Sequence, residues 1–285
     1  MQSWRIGDVK VTRVVEMEMP VPYHPKSLFL KEATPQALSE MPWLFPHFAK
    51  ADGTLMLSIH ALAVEAPGLK LVVDTCIGND KARGITGGQA LQTSFLAHMD
   101  EIGFGREQVN AVVCTHLHVD HVGWNTMLDG GKWVPTFPKA RYLIGRQEFA
   151  HWKSVDEEDQ KQILADSVQP IFDAGLAQEV EMTHRVSPEI RLMPTVGHTP
   201  GHVSVVIESK GETAVITGDM MHHPCQIGRP DWSPAFDSDK DASRATRKAM
   251  IKDWADKPIL VIGTHFASPT AGHIKRDGAS HRFAV

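Results

Sequence analysis

Four potential metal ligands fall within six residues at His116-Leu117-His118-Val119-Asp120-His121. Imidazole and carboxylate are the groups that bind zinc and its first-row neighbours at neutral pH. The run follows an apolar stretch, residues 109–115. In extended backbone His116 and His118 point to the same side, because strand side chains alternate with period two. Asp120 and His121 cannot both join them unless the chain turns. The run therefore reads as a strand end bending into a loop or helix start, presenting ligands to two neighbouring points.

Three later signals have the same character. Gly197-His198-Thr199-Pro200-Gly201-His202 follows an expected strand at 190–195, Gly218-Asp219 ends one at 213–218, and Gly263-Thr264-His265 ends one at 258–263. Strand ends giving way to loops are where α/β proteins gather functional groups. A single His or Asp there is ordinarily a turn or capping residue. Together with the first cluster they supply five His and two Asp, enough for two adjacent metal ions. His184 and His202 read as structural histidines outside the ligand positions.

The elements that must position these groups are legible in outline. Strands are expected at 9–15, 57–65, 70–74, 109–115, 140–144 and 202–208, besides those above. Leu91, Phe95, Leu96, Met99 and Ile102 form a helical stripe over 89–102. Residues 146–176 read as mixed and mainly helical. A helix over 239–256 starts near Asp239 or Asp241 and carries Ala242, Ala245 and Ala249 along one side. Strands followed by helices, in two successive halves, predict an α/β protein with layered sheets. Residues 19–54 are the exception, an irregular segment with Trp43, Leu44, Phe45 and Phe48 among Pro22, Pro25, Pro35, Pro42 and Pro46. Such a segment is a functional loop or lid, or a surface excursion packing its own aromatics, or a dimer contact.

Composition narrows the function. At 285 residues and 42% hydrophobic content the chain has material for a substantial core. A net charge of −5 and the lack of a basic arm argue against nucleic-acid and anionic-membrane partners. No run approaches 18 apolar residues, and the first residues show no secretory pattern, so a cytoplasmic location is the expectation. Cys76, Cys114 and Cys225 are an odd set without close spacing, which suggests neither disulfides nor a thiolate metal site.

With these motifs in order, the chain resembles the metallo-β-lactamase-fold hydrolase superfamily. The resemblance runs from Asp74, in Asp74-Thr75-Cys76 where Asp-Thr-Gly is usual, through the 116–121 motif to His198, Asp219 and His265. It implies one domain over 1–285, an αβ/βα sandwich of two mixed β-sheets with helices on the outer faces and metals at one edge between the sheets. It implies that His116, His118 and His198 hold one metal, that Asp120, His121 and His265 hold a second, and that Asp219 bridges them. Asp74 then accepts the free ring N–H of a ligating histidine. The expected cofactors are two divalent ions, zinc first, with Fe, Mn or Co as alternatives. A bridging hydroxide would attack a carbonyl carbon or a phosphorus, with Asp120 as ligand and proton shuttle.

Specificity rests on residues around the metals. In Asp219-Met220-Met221-His222-His223-Pro224, His222 stands where acyl-homoserine lactonases with this metal set commonly have Tyr. That substitution resembles the methyl-parathion-hydrolase-like branch and its lactonase relatives. His222 could donate to an oxyanion or protonate a leaving group, or be structural. Trp43, Phe45, Phe48 and His223 are the candidate pocket residues for an apolar acyl or aryl group. The expected activity is hydrolysis of a small lactone or carboxylic ester, with phosphotriester hydrolysis as the alternative. A di-iron redox role falls behind for want of a flavin domain. A homodimer through the aromatic N-terminal segment is a further expectation.

Overall fold

Aliphatic runs of β-branched residues build two mixed sheets in the computed structural model, which describes residues 1–285. The first sheet contains β1 (Ser3–Ile6), β2 (Val9–Val21), β3 (Leu55–Ala66), β4 (Leu69–Val73) and β5 (Ala111–Cys114). A separate hairpin follows, β6 (Thr126–Asp129) with β7 (Lys132–Pro135), and β8 (Arg141–Gly145) and β9 (Ala177–Val180) then complete the sheet. Its order is β1-β2-β3-β4-β5-β8-β9, antiparallel to β4 and parallel from there on. The second sheet is formed by β10 (Ile190–Pro194), β11 (Val203–Ser209), β12 (Glu212–Ile216), β13 (Ile259–Ile262), β14 (Ala271–Asp277) and β15 (Ser280–Ala284), in that order. Only β12 and β13 pair in parallel there.

The period-two alternation of each strand assigns its residues to layers. Leu71 and Val73 of β4 meet Val205 and Ile207 of β11 in the core between the sheets. Val72, one residue out of phase, packs on the outer face with Phe95, Met99, Ile163 and Ile171 from the helical segments. Val206 and Val215 face outward from the second sheet against Ile251 and Trp254. The result is the expected αβ/βα sandwich, two mixed sheets covered by helices. Each fully buried aliphatic side chain contributes roughly 1.5–3 kcal/mol. No helix is long and apolar enough to cross a membrane.

Two details refine the sequence reading. The helix Lys240–Trp254 is capped by Asp239, whose carboxylate accepts from Asp241 N and Ala242 N. Its buried face is Ser243, Arg247, Ile251 and Trp254, while Ala245 and Ala249 are exposed. The small residues face water because Arg247 has a structural use inside. The segment expected to be irregular from residue 19 begins only after β2 ends at Val21. It then holds a short helix, Pro35–Ser39, capped by Thr34, and a 3-10 turn, Pro42–Leu44.

Candidate metal centre

All the proposed ligands stand just beyond the C-terminal ends of strands. Asp74 follows β4, residues 116–121 follow β5, His198 follows β10, Asp219 follows β12 and His265 follows β13. The turn after β4 is tight, with Asp74 at φ +57°. The 116–125 segment lies directly against it: Gly123 N donates to Cys76 O at 2.7 Å and Trp124 N to Thr75 O at 2.7 Å. A Cβ on Gly123 would fall 1.8 Å from Ile77 O, so only glycine permits this approach.

The seven side chains converge. His118 Nδ1 is 3.0 Å from His116 Nε2 and 2.9 Å from His198 Nε2. On the other side, His121 Nε2 is 3.2 Å from His265 Nε2, and Asp120 approaches them at 3.6 and 3.5 Å. Asp219 lies between the two groups. Its Oδ2 is 3.7 Å from His116, 3.5 Å from His198 and 3.3 Å from His121, and its Oδ1 is 3.2 Å from His265. Asp219 Oδ1 is buried without a hydrogen-bond partner. Nitrogen and oxygen donors packed this closely, with a buried carboxylate oxygen left over, fit two divalent cations.

The ring nitrogens that face away from the centre are tied down. His121 Nδ1 meets Asp74 Oδ2 at 2.9 Å, and Asp74 also accepts from Thr115 N and Thr115 Oγ1. His116 Nδ1 meets Thr115 Oγ1 at 3.1 Å, His265 Nδ1 meets Ser58 O at 3.1 Å, and His198 Nδ1 meets Asp237 Oδ1 at 2.8 Å. Each acceptor fixes a tautomer and turns the inner lone pair towards the centre. Burial holds His116 and His198 well below the usual imidazole range and His118 down to about 4, so these rings are neutral, the ligating form. His121 is also buried, but Asp219, Asp74 and Asp120 outweigh that and raise it. A bound cation would take the place of that proton.

Asp237 is one of several supports that the sequence did not reveal. Arg247, fully buried, donates to Met220 O, Pro230 O, Trp232 O and Ser243 Oγ, with Asp237 Oδ2 3.7 Å away. Glu148, 1% exposed, accepts from Leu117 N, Trp152 Nε1, Thr199 Oγ1 and Gly201 N, clamping the two ligand loops together. Glu16, at the β-bulge where β2 shifts register against β3, accepts from Ile77 N, Gly78 N and Trp124 Nε1. None of these residues lies in a recognisable motif. A buried acid or arginine inside a predicted apolar face would have been the only signal.

Above the donors opens a cavity of about 350 Å³. Asp120, Asp219, His222 and His265 are on its polar side, and Met19, Val21, Leu57, Ile85, Phe29 and Phe236 on its apolar side. His222 is 3% exposed, and neither ring nitrogen has a hydrogen-bond partner. Its Nε2 is 3.3 Å from Asp219 Oδ2, and Phe29 and Phe236 meet its ring edge-on at 5.8 and 5.5 Å.

The other expected pocket residues are elsewhere. Phe48 is buried against Phe266, Phe283 and His223, and Trp43 and Phe45 pack on the same outer core. His223 donates from Nε2 to Phe48 O at 2.7 Å and accepts from Cys225 N, so it is structural. The aromatic content of 19–54 was correctly noted but assigned to the wrong side: these rings close the outer core of the second sheet, and Phe29 alone reaches the cavity. His202 belongs to no donor group and accepts from Asp219 N at 2.8 Å, fixing the backbone of Asp219. His184 belongs to no donor group.

Comparison with known proteins agrees with this architecture. The family model of the metallo-beta-lactamase superfamily matches residues 56–265. Curated relatives include an N-acyl homoserine lactonase of Bacillus sp, 26% identical over 58% of this chain and 59% of the relative, and one of Bacillus cereus, 25% identical over the same shares. The chain thus spans about three fifths of the length of the curated relatives it matches. Among solved structures, AidC, a dizinc quorum-quenching lactonase in complex with a product, superimposes with a TM-score of 0.78 at 20% identity. The hydrolase AbOPH of the beta lactamase superfamily gives 0.79 at 23%. Both alignments cover 99% of this chain and 96% of the other, and they establish the shared fold.

Proposed function

The chain belongs to the metallo-beta-lactamase superfamily, and from that premise we propose that it is a dinuclear metal-dependent hydrolase of a small lactone or carboxylic ester. The observation that carries this reading is the pair of donor groups either side of Asp219, at the polar end of an otherwise apolar cavity. The lactonase names of the curated relatives support the same substrate class.

His116, His118 and His198 would hold one ion and Asp120, His121 and His265 the other, with Asp219 shared between the two groups. Zinc is the first choice for such a site, and bound there it supplies Lewis acidity and a water that ionises near pH 7. The apolar walls exclude bulk water and receive the substrate's hydrocarbon part. His222, buried beside Asp219 with both nitrogens unpaired, is placed to donate to the oxygen on which charge develops. Asp120, the most exposed of the carboxylates at the centre, would serve both as a ligand and as a relay for a proton leaving towards solvent.

The test is metal analysis of the purified protein together with kcat/KM for lactones, aryl esters and phosphotriesters. Two metals per chain and a preference for lactones or esters are expected. Full activity after metal removal would overturn the mechanism, and a preference for triesters would replace the substrate class. His222→Phe should keep both metals and lower turnover, and an unchanged rate would make His222 structural.

A further inference from the structure

Beside the reaction cavity lies a second one of about 140 Å³. Ile85 and Val119 line both, so these two side chains form the partition. The chemistry on the far side is different, because Arg83, Asp159 and Gln162 also line it. Arg83 is only 4% exposed. Its Nη2 donates to Asp166 Oδ1 and approaches Ser167 Oγ at 3.4 Å, while Nε and Nη1 are buried without any partner. Buried guanidinium N–H groups are seldom left unpaired, and a guanidinium can only donate, so the group it lacks is an acceptor. Asp159 is exposed, so water screens its charge far more than that of Arg83.

The partition is lightly built. Ile85 is 40% exposed and sits in Gly84-Ile85-Thr86-Gly87-Gly88. A Cβ at Gly84, Gly87 or Gly88 would meet nothing within 4 Å. Sparse packing of this kind lets a segment shift at little cost. Arg83, held by Asp166 of the π-turn Leu164–Val168, anchors the start of the segment, and Gly88 N closes it back onto Arg83 O at 2.8 Å, so its side chains project without cover.

We propose that the side cavity is a second subsite, taking the distal end of a substrate whose reacting carbonyl lies over the donor cluster. That distal end carries a hydrogen-bond acceptor, a carboxylate or carbonyl oxygen, for Arg83. The volume admits on the order of four or five water-sized groups, which is a short chain with one polar terminus. The subsite rests on the hydrolase reading only for the placement of the reacting end.

Ala82 and Gln162 line this cavity from its solvent side, and both are exposed, so Ala82→Trp and Gln162→Trp fill it without touching the core. Three lactones are compared: one with a short side chain, one with a long chain ending in methyl, and one of equal length ending in carboxylate. Their hydrolytically inert lactam analogues are titrated by calorimetry into the metal-loaded protein. The wild type should favour the carboxylate-ended compounds over the methyl-ended ones by tenfold or more, in kcat/KM and in Kd. Both variants should erase that preference and leave the short compounds unchanged. No preference in the wild type, or an equal effect of the variants on short and long compounds, overturns the subsite. If neither lactones nor esters are hydrolysed, the hydrolase reading fails by itself, and the lactam titrations still decide the subsite by the same criterion.

Discussion

The donor cluster and the mouth of the cavity above it are held in opposite ways. His116, His121 and His198 are fully buried, and each outer ring nitrogen meets a hydroxyl or a carboxylate at 2.8–3.1 Å. At the mouth, Phe236 is 46% and Ile85 40% exposed. Phe236 is placed by stacking on Phe29 at 6.3 Å, beside the backbone bond Ala235 N to Leu28 O, and Ile85 by the short turn Gly84–Thr86. The donor groups are fixed by directional bonds to buried partners, and the side chains at the mouth mainly by packing. The first arrangement is costly to perturb and the second cheap, so the reaction type should be robust to mutation and the selectivity plastic.

The contrast can be broken most severely at Asp219. It is the one carboxylate within 3.7 Å of His116, His198, His121 and His265. Asp219→Ala should lose bound metal and lower kcat/KM by roughly a thousandfold or more, measured by elemental analysis and steady-state kinetics. Retention of both metals at full rate would show that the donors do not act as a unit.

A second prediction probes the packing beneath both regions. Burial lowers His223 to about 4, against about 6.5 in an unfolded chain. Its contribution to stability is complete above pH 6.5 and is lost as the pH falls from there towards 4, because the unfolded chain takes up the proton first. Between pH 7 and 5 this amounts to about 2 kcal/mol. Urea unfolding of chelated His223→Gln should therefore decline less over that range than the wild type, by about this amount. Equal declines would remove His223 as an acid-sensitive support.

The support of a single ligand is a smaller perturbation. Asp237→Asn keeps an acceptor for His198 but removes the charge near Arg247, and should weaken metal binding by about 10–100-fold in a competitive chelator titration. The smallest effect belongs to the mouth. Phe236→Ala should change KM for an aryl or long-chain substrate by about fivefold, roughly the 1 kcal/mol of an aromatic contact, with metal content unchanged. Loss of metal in that variant would erase the distinction between the two regions.

The same division explains what could be read without coordinates. The ligands were legible because each lies in a short motif at the end of an apolar run, and strand alternation places the run. Their supports were not, because a contact such as Asp237 with His198 joins residues 39 positions apart by an arrangement of loops that no local period encodes. Trp43, Phe45 and Phe48 show the converse. Their composition announced a packed aromatic group, but the side on which it packs depends on how β2 and β3 pair, and that pairing directs them to the outer core with Phe266 and Phe283. In the helix Lys240–Trp254 the cap and the side carrying the alanines were legible, but the inward use of Arg247 was not, because its acceptors come from loops distant in sequence.

The dispersal of the ligands along the chain also sets a timetable. His116 and His265 are 149 positions apart in the sequence. At about 5–20 residues per second of synthesis, on the order of ten seconds or more separates the two on the ribosome. Throughout that interval the nascent chain displays an incomplete set of imidazoles. The Glu148 clamp cannot close either until Thr199 and Gly201 emerge. Metal binding by the complete donor set would therefore come late in synthesis, and premature capture of an ion by the 116–121 run alone would be a hazard that folding must outpace.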